Sequence, residues 1–323
     1  MTFHRFVLAG CSLLLAAGAV FAQSDYPSKP IRIIVPLAAG SAVDNAARIV
    51  AARMSQTMGQ GILIENQPGA SGLIGADRVA KAAPDGYTLG GFNDSIMTMV
   101  PHMQSKMPWD IMRDFEPVSL VATLEWGMVV DSDSAIRTPA DLIEAARKAP
   151  GTINYGSGGN GSPQHVAMAM FASQANIDLK HVPYKGATQA ATGVAGKEVQ
   201  TALQGIATVN SLVQAGKLRL IAVPAAKRMP QFPEVPTVAE SGLPGFEFES
   251  WFTLMAPAKT PKAIVDRLQR EVTAALADPD TRSKLIAGGM VPRGTTPAEL
   301  RSATATQFEK YGALMKKVNI TAE

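Results

Sequence analysis

The stretch NYGSGGNGSPQHVAMAMF, residues 154–171, sets Gly156, Gly158 and Gly161 at the spacing G-x-G-x-x-G. That spacing opens dinucleotide-binding folds, where the third glycine lies inside the helix and packs it on the strand. Here Ser162-Pro163 follows the third glycine and reads as an N-cap with the first helical residue, so the helix begins after the glycines. An acid for a ribose should close the next strand, yet Asp178 precedes LKHVPY (179–184). The loop is therefore read as an anion nest at a helix start, with bare backbone N–H groups backed by partial positive charge. Ser157, Asn160 and Ser162 can add side-chain donors to the amides of Gly158 and Gly161.

A second loop of the same design lies upstream. Leu37, Ala38, Ala39, Gly40 and Ser41 carry the chain from strand IRIIV (31–35) into helix VDNAARIVAARMSQTM (43–58), which Gly59 ends. Ser41 and Asp44 have capping-box spacing, and Asp44 is assigned chiefly to capping that helix. In open parallel sheets the crevice beyond the strand C-termini is where ligands bind. Neither loop holds a cation, so binding would rest on dipoles and hydrogen bonds, which suits reversible capture of a carboxylate.

Other residues fall at the same ends of strands. Asn93 and Ser95, after strand YTLGGF (87–92), could donate to a ligand, whereas Asp94 would repel a carboxylate unless it points away or caps. His165 sits in the first turn of its helix and either faces ligand or makes a helix-terminus hydrogen bond. Tyr184 ends a strand and edges the cleft, with Lys185 beside it or simply solvated. Trp251 reads as core or hinge packing rather than a ligand stacker.

Strands alternate with Ala-rich helices along the chain, which predicts parallel pairing with right-handed crossovers. Each half opens with a strand, a small-residue loop and a helix. The expected fold is α/β: two similar lobes, with parallel-rich sheets flanked by helices and a ligand cleft between them. Residues 23–127 plus 249–323 are assigned to lobe one, made discontinuous by the return of the C-terminal helices, and residues 128–248 to lobe two. Two crossings make a hinge. Residues 224–248 hold five prolines and read as irregular.

Residues 1–22 read as an export signal: His4 and Arg5, then an uncharged apolar run from Phe6 to Phe21, then Val20-Phe21-Ala22 as the cleavage site. Leu8-Ala9-Gly10-Cys11 also matches a lipoprotein site, but only five apolar residues precede Cys11 and the apolar run continues past it. Cleavage after Ala22 leaves an exported mature chain with no cysteine, hence no disulfide and no thiolate metal site. The net charge of +3 is dispersed without a Lys/Arg run, which argues against nucleic acid. There is no G-x-S-x-G elbow, no H-E-x-x-H and no P-loop, and His4, His102, His165 and His181 lack metal-ligand spacing. No catalytic residue, metal or cofactor is expected.

Read together, YPSKPIRIIVPLAAGSAVDNAAR, ENQPGASGLIGADRVAKAAPDGYTL, INYGSGGNGSPQHVA, VPYKGA, FPEVPTVAESGLPGFE and SWFTLMAPAKTP resemble the substrate-binding receptors of tripartite tricarboxylate transporters, the Bug-type periplasmic receptors. The resemblance spans nearly the whole mature chain. It implies a two-lobed periplasmic-binding-protein fold, type II-like, closing on a small organic carboxylate, and delivery to a two-subunit membrane permease, with the ligand held chiefly by loops 37–44 and 156–165. Two departures bear on the ligand. An aromatic and a Gly pair usual in the first loop are replaced by Leu37 and Gly40-Ser41, and a lobe-two strand that often ends in Asp ends at Gln204-Gly205. A dicarboxylate, aliphatic or aromatic, fits two anion sites best, and the receptor is expected to act as a monomer. The rivals are a sensory partner using the same fold, and a secreted hydrolase or isomerase.

Overall fold

A computed structural model describes residues 26–317. The export signal and Cys11 lie outside the described residues, and no described helix is long and apolar enough to cross a membrane.

The chain opens with β1 (Ile31–Val35), α1 (Ala42–Met58), β2 (Ile62–Asn66), α2 (Leu73–Ala80), β3 (Thr88–Asn93) and the short α3 (Asp94–Thr98). Long β4 (Phe115–Leu124) runs, after the single residue Glu125, into β5 (Trp126–Asp131). Then come α4 (Pro139–Lys148), β6 (Asn154–Ser157), α5 (Pro163–Ala175), β7 (Lys180–Pro183), α6 (Ala187–Ala195), β8 (Thr201–Gly205), α7 (Ile206–Gln214) and β9 (Leu218–Ala222). The chain ends with β10 (Ser250–Pro257), α8 (Lys262–Ala277), α9 (Pro279–Ala287), β11 (Met290–Pro292) and α10 (Pro297–Lys317). Residues 224–248 carry no named element beyond an isolated bridge from Val223 to Thr237.

Two sheets form, ordered β11-β4-β10-β3-β1-β2 and β7-β6-β8-β5-β9. The units β2-β1-β3 and β7-β6-β8 pair in parallel, as strand–helix–strand alternation demands. The other pairs are antiparallel, so both sheets are mixed. The reason is the double crossing: β4, β5 and β10 enter or leave a lobe rather than belonging to a βαβ unit. The PVSLVATLEWGMVV run is continuous in sequence, yet Glu125 divides it between the two sheets.

Local chemistry sets the helix ends. Ser41 caps α1 through Asp44 N–H, and Gly59 stops it at φ 66°. Thr138 and Asp141 make a reciprocal capping box on α4 with Pro139 in the first position. Alternating residues pack both faces of each sheet. Ile31, Ile33 and Val35 lie against Ala47, Val50 and Met54 of α1, while Ile34 joins Phe92, Phe115 and Trp251 on the other side. In lobe two, Leu203 faces Phe171 of α5, and Ala202 faces Val194 and Val209.

Candidate functional site

Parallel βαβ geometry places the strand C-termini, and hence the helix N-termini, on the edge of each lobe that meets the other. Between them lies a cavity of about 360 Å³, within the range of small-ligand sites, about 300–1,000 Å³. Its wall includes the first turns of four helices: Ser41, Ala42 and Val43 of α1; Ser162, Pro163 and Gln164 of α5; Gly186 and Ala187 of α6; Gly205 and Thr208 of α7. First-turn N–H groups have no partner within their helix, and each N-terminus carries about half a positive charge. Among the described residues no acidic side chain lines the cavity, and the lone lining cation is the exposed Lys185. The chamber thus attracts anions through dipoles.

The lobes are shut over it. Ala42 N–H donates to Thr208 Oγ1 at 2.9 Å, and Asn45 Nδ2 to the Ala207 carbonyl at 3.0 Å. From the other side Thr188 Oγ1 donates to the Ala39 carbonyl at 3.0 Å, and Ser71 Oγ donates to the Asn160 carbonyl.

Eight of the residues given a ligand role from sequence line this cavity: Leu37, Ala38, Ser41, Asn93, Ser95, Gly158, Ser162 and Tyr184. Six lie off its wall. Ala39 spends its carbonyl on Thr188, and Gly40 N–H donates to Asp44 Oδ2 at 2.9 Å. Asp44 also accepts from Arg48 and Asn66, so it folds the loop as well as capping α1. Asn160 turns its carbonyl to Ser71. Ser157 is fully buried, with Oγ 2.5 Å from His181 Nε2. Gly161 N–H donates to His165 Nδ1 at 3.1 Å, so His165 braces its own loop, the second of its two readings. His165 stacks on His181 with centroids 3.9 Å apart, and Tyr155 stacks on His181 at 5.0 Å. Burial, helped by His181, pushes the His165 imidazole down to about 3, which keeps Nδ1 a free acceptor for Gly161. The Ser157–His181 distance would suit a nucleophile and base. With Ser157 sealed from the cavity, the pair instead fixes the shape of the glycine loop.

Sequence reasoning missed several wall residues: Pro68 to Gly72, Trp126, Gln164, Thr208 and Ser250. One signal was available for the first group. Gly69, Ala70, Ser71 and Gly72 all have positive φ, a kinked turn that QPGASG advertises. Thr208 and Gln164 stand in helical first turns, where only the tertiary fold shows what they meet.

Asp94 does point away from the cavity. It is fully buried, and its Oδ1 accepts from Ser250 Oγ and from Trp251 N–H at 3.2 Å, where the second crossing enters lobe one. Its Oδ2 has no hydrogen-bond partner among the described residues. Burial pushes this carboxyl up to about 7, against the pull of the Ser250 and Trp251 bonds. Between about pH 4, where an unfolded aspartate titrates, and about 7, the native state holds a proton that the unfolded chain has released. Stability from this group is full below that window and falls as pH rises through it. Asp94→Asn, which cannot ionise, is expected to melt higher than wild type at pH 8, with the gap shrinking toward pH 5. A gap that does not change with pH in thermal melts would show that Asp94 is not the titrating group.

A profile of the tripartite tricarboxylate transporter family receptor matches residues 46–320. The chain belongs to this family. A UPF0065 protein of a Pseudomonas species is 36% identical over 322 residues, 99% of this chain and 96% of that one. Among solved structures, an R. palustris protein with adipate superimposes with TM-score 0.90 at 32% identity, covering 92% of this chain and 100% of that chain. MatC from Rhodopseudomonas palustris with bound malate superimposes with TM-score 0.85 at 28% identity, covering 90% and 99%. The two-lobed architecture of this family receptor is therefore that of periplasmic solute-binding proteins, including the Bug type. In this chain that architecture carries the four-helix anion chamber described above.

Proposed function

We propose that this family receptor is a non-catalytic, monomeric periplasmic binding protein that closes on a small dicarboxylate and presents it to a two-subunit membrane permease. One observation carries the reading: four helix N-termini, two helped by capping serines, converge on one cavity between the lobes whose wall, among the described residues, holds no acid. Such a chamber stabilises a carboxylate through dipoles and amide donors, and it releases the ligand easily because no buried ion pair must be broken. The adipate and malate held by the two Rhodopseudomonas proteins agree with that chemistry. Their difference in length leaves the choice between short and long dicarboxylates to measurement.

The test is a thermal-shift and calorimetric screen of the mature chain against aliphatic and aromatic mono-, di- and tricarboxylates, with amino acids and sugars as comparison. A true ligand at 100 times its Kd adds about 2.7 kcal/mol to folding stability, a shift of several degrees. Dicarboxylates are expected to give the largest shifts. A protein that answers to sugars or amines and to no carboxylate would overturn the proposal.

A further inference from the structure

Two glutamine side chains lie end to end at the lobe-two wall. Gln204, at the C-terminal end of β8, is completely buried, and Gln164, in the first turn of α5, is 6% exposed and lines the cavity. Gln164 Nε2 donates to Gln204 Oε1 at 3.3 Å. This arrangement leaves Gln204 Nε2 buried with no hydrogen-bond partner among the described residues. It also turns Gln164 Oε1, an acceptor, toward Gly158 on the cavity wall, 3.3 Å from where a β-carbon on that glycine would stand.

Both features are reversed by one concerted motion. A primary amide has the same shape when turned by 180° about its last side-chain bond, with donor and acceptor exchanged. If both amides turn, Gln204 Nε2 donates to Gln164 Oε1, and the buried donor is satisfied. Gln164 then points its NH2 group at the cavity. The atom left without a partner becomes Gln204 Oε1, and an under-satisfied carbonyl is better tolerated than an orphaned N–H. Turning Gln164 alone would set two oxygens against each other, so the two amides move together.

We propose that the Gln164–Gln204 pair is a polarity-reversing element of the ligand wall. Gln164 donates to an acceptor-only group of the ligand, and Gln204 is the positioning residue that turns with it. The inference rests on the reading of the cavity as a carboxylate site and names one of that site's binding side chains. With a carboxylate at this wall, the pair settles with the Gln164 NH2 inward. With a hydroxyl or amide there, the other orientation offers an acceptor. A neutral pair can do this, whereas a carboxylate at either position would fix the wall as acceptor-only.

The experiment is a double-mutant cycle with adipate as probe, on the mature chain, using Gln164→Met and Gln204→Met. Methionine keeps the length and apolar stem of glutamine and removes both hydrogen-bonding groups. Each single variant is expected to bind adipate about tenfold more weakly, the scale of one hydrogen bond. The double variant should be no weaker than either single one, because one pair has been removed once. Losses that multiply, or a Gln204→Met variant that binds like wild type, would overturn the pairing. Melting without ligand reports whether Gln204→Met folds; if it does not, Gln164→Met binding like wild type would overturn the proposal on its own. A wild-type protein that ignores adipate and every other carboxylate is a different failure, that of the functional reading.

Discussion

Gly186→Ala is expected to leave the unliganded protein folded and to weaken ligand binding by about 10- to 100-fold. Gly186 sits in lobe two at the start of α6 with φ 177°, extended backbone that alanine adopts freely. A β-carbon there would stand 2.6 Å from the Ala38 β-carbon across the cleft, well inside van der Waals contact. Its other near neighbour, Gln189 Oε1 at 2.8 Å, is the far end of an exposed side chain and moves away. The clash therefore exists only when the lobes are shut. Overpacking of this kind costs about 1–3 kcal/mol, and here that cost falls on closure alone. The shift of a few tenths to one ångström also pulls Thr188 off the Ala39 carbonyl two residues on. Small-angle scattering should show the variant keeping its open dimensions when ligand is added, while wild type contracts. Gly61→Ala, where a β-carbon meets nothing within 4 Å, is the control and should bind normally. If Gly186→Ala binds as wild type does, the two loops do not meet in the liganded state.

Ala187→Asp should abolish carboxylate binding with little change in stability. Ala187 is the first residue of α6, half-buried in the cavity wall. An acid in a first turn suits the helix dipole and supports the helix by about 0.3–1 kcal/mol, which separates the effect on binding from any effect on folding. In the cavity it places a negative charge where the ligand's charge must sit. At an effective dielectric constant near 20 and a separation near 4 Å, like charges repel by about 4 kcal/mol, close to a thousandfold in affinity. Ala187→Asn is nearly the same size without the charge and should lose far less. Calorimetry showing equal losses for the two would mean that shape, not field, governs the wall.

Much of the fold was legible because its signals are short-range. Period-two and period-3.6 apolar patterns, Gly59 as a helix stop, Thr138-Pro139 and Ser162-Pro163 as helix starts are local facts, and each gave an element within a residue or two. The site was legible only in outline. Loops at strand C-termini mark the cleft, so Ser41, Gly158 and Ser162 fall on the cavity wall. Ser157 lies off the wall, and alternation held the clue. It shares a strand face with Tyr155, and both meet His181 behind the loop. Short α9 and β11, next to the crossing at Glu125, gave no pattern long enough to read.

The sequence by itself determined where helices begin, which loops offer bare amides, and that no cationic side chain stands in either loop, since these depend on neighbours within about four residues. Only the tertiary structure decided which amides remain for a ligand. Ala42 N–H is taken by Thr208, 166 residues away, and Gly40 N–H by Asp44, whose carboxylate is steered by Asn66. A hydrogen-bond donor is used by whatever acceptor the packed chain brings within reach, and that pairing is set by how the lobes meet rather than by the residues beside it.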